Sequence, residues 1–380
     1  MPSSRMCRTT PRPRRPPRSP PLSVPVTTPA TVTSAALAPA CATTSDSPGE
    51  DLSMTDPTHA SAAEPIPHNA QDALPEDAWQ RLDHWAQRHP QALALRHKRR
   101  GRWVAWPWAQ VHRTADLLRI GLAREGLGPQ ARLAVCGAFE PRLLLLVLAA
   151  RAAGAQVLSL PRGLGEAELA AWQDRRRPTH VYLQSRDELV RWLRLQGRQS
   201  EDAVQLISPQ PVPKGQDAAA WLHLRDLLGE VPPQVQRHAW HRAQRAAATW
   251  CEEGTEWSEG LALVVGHWLR TGEGLAFPED TAAAARDRRD AVPSRLLLSA
   301  QRAQQLSDEI EQRLPVAGSW RRRWVDGALS ASPVSGGSRW DRWLRVQLQR
   351  RLGLHRLQEV VVPSSAAELP ERLRSLVEAA

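Results

Sequence analysis

Several groups of side chains have the types and spacing for chemistry. His238 and His241 form an HxxH pair with Cys251 a little further on, and two imidazoles a helical turn apart beside a thiolate would begin a zinc site. No second cysteine completes it, and the pair lies in a polar, Arg-rich stretch that reads as a solvated helix face. Asp287 and Asp290 alternate with Arg286, Arg288 and Arg289, which reads as a salt-linked helix surface rather than a carboxylate pair for acid–base work. Ser364 and Ser365 have no GxSxG elbow around them, so no hydrolase nucleophile is expected. Between Arg321 and Arg351 eight Arg face only Asp326 and Asp341, interleaved with Trp324, Trp340 and Trp343. Arg with aromatics on helices suits an anionic membrane or acyl-CoA surface, or, less well, nucleic acid. The expectation is that the three Trp and Leu344 pack inward while the Arg face water, with peripheral membrane contact through 321–351 as the alternative.

Composition sets wide bounds. The 380 residues carry a formal charge of +10, and 42% of them are hydrophobic, enough for a real core. Lys98 and Lys214 are the only lysines, and Trp outnumbers the other aromatics, a skew that reads as GC-rich coding bias. The basic balance permits anionic partners without choosing among them. Cys7, Cys41, Cys136 and Cys251 have no paired spacing, so neither a disulfide framework nor a metal site is expected, and a reducing cytoplasm fits. The apolar run Leu143 to Ala150 is too short to span a bilayer and reads as a buried helix.

The elements that must position any site begin well into the chain. Residues 1–72 are rich in Arg, Pro, Ser, Thr and Ala, and are expected to be a disordered tail. Met54 is an alternative start. From there the pattern predicts one α/β domain over 73–380: a helix at 76–89, a hairpin turning at Arg100-Gly101, and a helix with the inner stripe Val111, Ala115, Leu118 and Leu122. Short apolar strands at 132–137, 155–160 and 179–183 alternate with helices at 140–153 and 166–175, the mark of a sheet covered on both faces. Residues 198–258 are hard to read, with a strand at Val204 to Ile207 and a helical turn or two from Trp221 to Leu228. Regular signals resume as helices at 259–270, 279–291, 301–314, 319–330 and 339–352, strands at 274–277, 295–299 and 357–362, and a closing helix.

In order and in landmark residues these segments resemble the adenylate-forming (AMP-binding) superfamily, and within it the long-chain fatty acyl-CoA synthetases. The resemblance rests on "HPQALALRHKRRGRWVAWPWAQV", "GLAREGLGPQARLAVCG" and "LAARAAGAQVLSLPRGLGEAEL" in the first half. In the second half it rests on "GHWLRTGEGLAFPEDTAAAARDRRDAVPSRLLLSAQRAQQLSDEI" and "LGLHRLQEVVVPSSAAELPERLRSL". It implies the α/β architecture of the large N-terminal domain of acyl-CoA synthetases, sheet layers covered by helices. The implied reaction is ATP-dependent activation of a fatty acid to acyl-AMP and then acyl-CoA, with ATP, Mg and CoA as the implied cofactors.

The departures point the other way. The family's "TSGTTGxPKG" loop, which wraps the ATP phosphates with backbone N–H groups, hydroxyls and a Lys, should fall between Leu228 and Gly260. That stretch, "GEVPPQVQRHAWHRAQRAAATWCEEGTEWSEG", has no Gly-rich run and no Lys, and "VPKG" at 212–215 comes too early. The adenine-pocket turn is Pro363-Ser364-Ser365-Ala366, so Ser365 and Ala366 are the cofactor-binding candidates; no catalytic or metal residue is assigned. The family's "YGxTE" motif and lid would lie beyond Ala380, so the domain reads as partial. The expectation is a cytoplasmic synthetase-like protein, inactive as this chain, with a non-catalytic binder of an acyl chain, acyl-CoA or an intact synthetase as the alternative.

Overall fold

The computed structural model describes residues 74–196, 204–211, 221–228, 248–330, 339–363 and 368–377. The chain enters through helix α1 (Ala78–Arg88), which buries Ala78 and Leu82. A hairpin follows, β1 (Leu93–Arg99) and β2 (Arg102–Pro107), turning at Arg100 and Gly101, both with positive φ. Pro107 then leads into α2 (Trp108–Arg124), whose predicted stripe Val111, Ala115, Leu118 and Leu122 is buried.

From β3 (Arg132–Cys136) the chain alternates strand and helix: α3 (Pro141–Ala152), β4 (Gln156–Ser159), α4 (Glu166–Arg176), β5 (His180–Leu183), α5 (Arg186–Gln196), β6 (Gln205–Ser208), β7 (Trp221–His223) and the single turn α6 (Leu224–Leu227). Two features of this region differ from the sequence expectation. Helix α5 was not expected, and Trp221 to His223 forms a strand where a helical turn was expected, because pairing with β6 supplies backbone partners that local pattern does not show. The second half runs β8 (Ala248–Cys251), α7 (Gly260–Thr271), β9 (Gly274–Phe277), α8 (Ala284–Ala291), β10 (Arg295–Leu297), α9 (Ala300–Arg313), α10 (Trp320–Ser330), α11 (Arg339–Leu352), β11 (Glu359–Val361) and α12 (Glu371–Val377).

These strands make two sheets. One has the order β11-β10-β8-β9-β1-β2 and is parallel except at the β1–β2 hairpin; the other, β4-β3-β5-β6-β7, is parallel throughout. Alternation along the strands sorts the core into layers. Leu133 and Val135 face a central core shared with Leu95, Leu275 and Phe277 of the other sheet, while their neighbours Ala134 and Cys136 face an outer core with Leu169 and Trp192. Trp250, Ala276 and Leu296 face a second outer core with Leu306 and Ile310. Helix α3 lies in the central layer and buries every residue from Leu143 to Ala150, as a helix apolar on all sides must. The result is helices between and outside two sheets, the layered α/β architecture expected.

Candidate functional site

The described part of the window that the resemblance assigns to a phosphate-gripping loop is Ala248–Gly260. It is built as such a loop should be: β8 ends at Cys251, residues 252–259 turn, and α7 begins at Gly260. The C-terminal edge of a parallel sheet, opposite a helix N-terminus, is where α/β proteins receive anions. The residues there are Glu252, Glu253, Gly254, Thr255, Glu256 and Trp257.

Contacts with the other sheet hold this turn in place. Phe139 donates its amide to Glu253 O at 2.9 Å, Thr255 donates its amide to Gly137 O at 2.9 Å, and Gly137 donates back to Thr255 Oγ1 at 3.1 Å. The approach is so close that a Cβ on Gly254 would stand 2.4 Å from Gly137 O, which is why glycine survives there. Gly254 gives its amide to the Glu256 carboxylate at 3.0 Å, Trp257 gives its amide to Gly254 O, and Gly260 to Trp257 O. The amides of Gly254, Thr255, Trp257 and Gly260 are therefore committed within the protein.

The carboxylates define the chemistry. Glu252 is buried and accepts from Arg288 Nη1 at 2.9 Å on both oxygens, from Arg302 Nε at 2.7 Å and from Trp250 Nε1 at 2.7 Å. Burial pushes its pKa up, but Arg288 and Arg302 together outweigh burial and hold it below the ordinary carboxylate value. Arg302 also meets Glu309 at 2.9 Å, and Arg162 is paired with Glu256. Glu253 is different. Burial, reinforced by Glu256 and Glu252, pushes its pKa up to about 7 against hydrogen bonds from the Ser299 hydroxyl and from Ser299 N at 2.6 Å, where α9 begins. Glu252, Glu253, Glu256, Ser299, Arg302 and Glu309 line a cleft of about 310 Å³.

The donors around this cleft are already partnered. Arg162, Arg288 and Arg302 are each already neutralised by Glu, and the nearest amide donors are spent on Glu256 or on backbone carbonyls. A phosphate reaching these Arg or these amides would displace the partners they already hold.

The other candidates divide. Asp287 and Arg288 are wholly buried, not a helix surface as expected. Asp287 receives Lys98 Nζ at 2.8 Å and Glu279 N at 3.0 Å, and Lys98 reaches Asp290 at 2.6 Å. Lys98 comes from the distant strand β1, so the local charge pattern could not reveal it. Cys251 is buried in β8 with its thiol pushed well up by burial, the opposite of what a zinc thiolate needs. Among the described residues no His, Cys, Asp and Glu cluster is arranged to hold a metal ion. Ser365, Ala366, His238, His241 and the VPKG segment lie outside the described residues. Trp324, Trp340 and Trp343 do not pack inward: each is more than half exposed. The carboxylates at 252, 253 and 256 escaped sequence reading, although a short apolar run followed by Gly254-Thr255 and a helix, inside the expected window, was the available signal.

Comparison with known proteins agrees with this architecture. The sequence model of the AMP-binding enzymes matches residues 82–243. The adenylation and carrier-protein didomain of the Segniliparus rugosus carboxylic acid reductase, solved with AMP, superposes with a TM-score of 0.53 at 14% identity, covering 82% of this chain and 53% of that one. The adenylation domain of a Mycobacterium chelonae carboxylate reductase gives 0.51 at 12% identity, covering 82% and 60%. No curated protein matches in sequence. At these identities the structural likeness is one of fold, and the chain spans between half and two thirds of those relatives. The chain is thus an α/β protein with the fold of adenylate-forming enzymes. Over residues 82–243 its sequence is similar to the AMP-binding enzymes.

Proposed function

We propose that this protein is a non-adenylating relative of the long-chain acyl-CoA synthetases, which keeps their layered domain as a binding scaffold for a fatty acyl chain or acyl-CoA. The observation that carries the reading is the 252–259 turn. Its glycine and helix-leading geometry remain, but glutamates fill it, its nearest amides are committed, and the surrounding Arg are paired. Adenylation depends chiefly on positioning and on stabilising charge at the transferring phosphate. A turn offering carboxylates in place of donors supplies neither. The acyl preference rests on the sequence resemblance; the family match supports the coarser likeness to AMP-binding enzymes.

The test combines carboxylate-dependent ATP–pyrophosphate exchange with thermal denaturation in ATP·Mg²⁺ and, separately, in palmitoyl-CoA. A ligand that binds only the folded chain raises the melting temperature by mass action. No exchange, no shift with ATP and a rise with palmitoyl-CoA is the expected outcome. Exchange above background, or stabilisation by ATP, would refute the non-adenylating reading; indifference to palmitoyl-CoA would refute the acyl ligand.

A further inference from the structure

Helices α10 and α11 pack together and bury Ala328, Leu329 and Leu352, yet their largest apolar side chains face water. In a water-facing helix pair the apolar side chains turn inward and the charges outward. Here Arg322, Arg345 and Gln349 are buried, whereas Trp320, Trp324, Trp340 and Trp343 are 62%, 62%, 68% and 52% exposed. The buried polar side chains are partnered: Arg322 grips Asp326 at 2.9 Å and pairs with Glu311, Arg345 donates to Ala328 O at 3.1 Å, and Gln349 donates to Leu376 O at 3.1 Å. These polar groups share the inner face with Leu329 and Leu352, and the tryptophans stand outside it. Trp320 and Trp324 stand four residues apart on α10. Trp340 and Trp343 stand three apart on α11, with rings 5.9 Å from each other. Taking about 250 Å² per indole, this leaves on the order of 600 Å² of aromatic surface in water, more than a monomer usually tolerates in one region.

Charge identifies the occupant. Arg outnumber Asp eight to two along 321–351, and Asp326 is already claimed by Arg322 and by Arg372 at 3.0 Å. Arg321 and Arg323 are exposed on α10, and the Arg321 guanidinium lies 5.3 Å from the Trp320 ring centroid. Indole is the side chain that settles at headgroup depth, and guanidinium beside it pairs with lipid phosphate. No helix among the described residues is long and apolar enough to cross a bilayer. We propose that α10 and α11 form a peripheral docking surface for an anionic phospholipid membrane, with the tryptophans at the headgroup–acyl boundary and Arg321 and Arg323 on the phosphates.

The test is sedimentation of the full chain with vesicles of phosphatidylcholine and phosphatidylserine mixed about two to one, against phosphatidylcholine alone. The Arg-rich residues 1–18 make bare binding uninformative, so the comparison that decides is between variants of the full chain. Trp324→Ser/Trp343→Ser should lower partitioning to mixed vesicles at least tenfold, with an unchanged melting temperature because both side chains are exposed. Trp324→Phe/Trp343→Phe should retain most of it, and Arg321→Gln/Arg323→Gln should lower partitioning to mixed vesicles while leaving any partitioning to phosphatidylcholine unchanged. Unchanged partitioning of the Trp→Ser variant would overturn the proposal. So would binding of a single-stranded oligonucleotide, or a self-associated state by light scattering, if the same tryptophan substitutions abolished it.

Discussion

Glu253→Gln isolates one carboxyl whose burial is not matched by a cation. Glu252 has Arg288 and Arg302, and Glu256 has Arg162, but Glu253 has only the neutral donors of Ser299. Its pKa therefore rises from the ordinary 4.5 to about 7 in the folded chain. A raised folded-state value means that the native state holds the proton more tightly than the unfolded chain does. The associated stability is fully present below about pH 4.5 and is lost as pH rises through about 7. At ~1.4 kcal/mol per pH unit, the gap corresponds to about 3 kcal/mol. Gln keeps an oxygen for the Ser299 amide and has no proton to lose. The stability difference between Glu253→Gln and the parent should thus move in favour of the variant by about 3 kcal/mol between pH 5 and pH 8.5. Urea unfolding at several pH values reads it directly, because the other titrating groups are common to both proteins and cancel. A difference flat with pH would show that Glu253 is ionised at no cost, and the account of the turn as an uncompensated acidic site would fall.

Two further outcomes test the same region. Arg288→Met leaves the buried Glu252 without its main partner and should destabilise the chain by about 3 kcal/mol, toward the low end of the range for broken buried pairs because Arg302 remains; adding Glu252→Leu should recover part of the urea midpoint. Gly254→Ala places a Cβ against Gly137 O and Ala138 Cα, both backbone, so the turn must retreat from β3. A loss of about 1–3 kcal/mol is expected, measured by thermal denaturation.

What the sequence disclosed depended on how locally each element is specified. The β1–β2 hairpin, α3 and the strand at 274–277 were legible because alternation, an unbroken apolar run and a flanking glycine each carry their own signal. Helix α5 was missed although Leu189, Trp192 and Leu195 form a helical stripe, since charged residues between them dilute it. The division into two sheets was not legible at all, because pairings such as Leu95 with Leu275 are set by tertiary packing. The site was hidden for a related reason. Asp287 and Arg288 look like surface charge until Lys98 and Glu252 arrive from other strands, and the tryptophans of α10 and α11 look like core until Arg322 and Arg345 are seen to occupy it.

The central helix α3 also has a consequence for how the chain is made. Residues 143–150 present no polar face, and their walls include Leu275 and Leu297, which leave the ribosome more than a hundred residues later. During that interval a fully greasy segment lacks the part of its cover that those later strands supply. Slow translation or a cut between the two sheets would leave it open to chaperones or to other nascent chains. Separate expression of the segments before and after the β7–β8 junction, which also parts β1 and β2 from the rest of their sheet, is therefore expected to give insoluble protein.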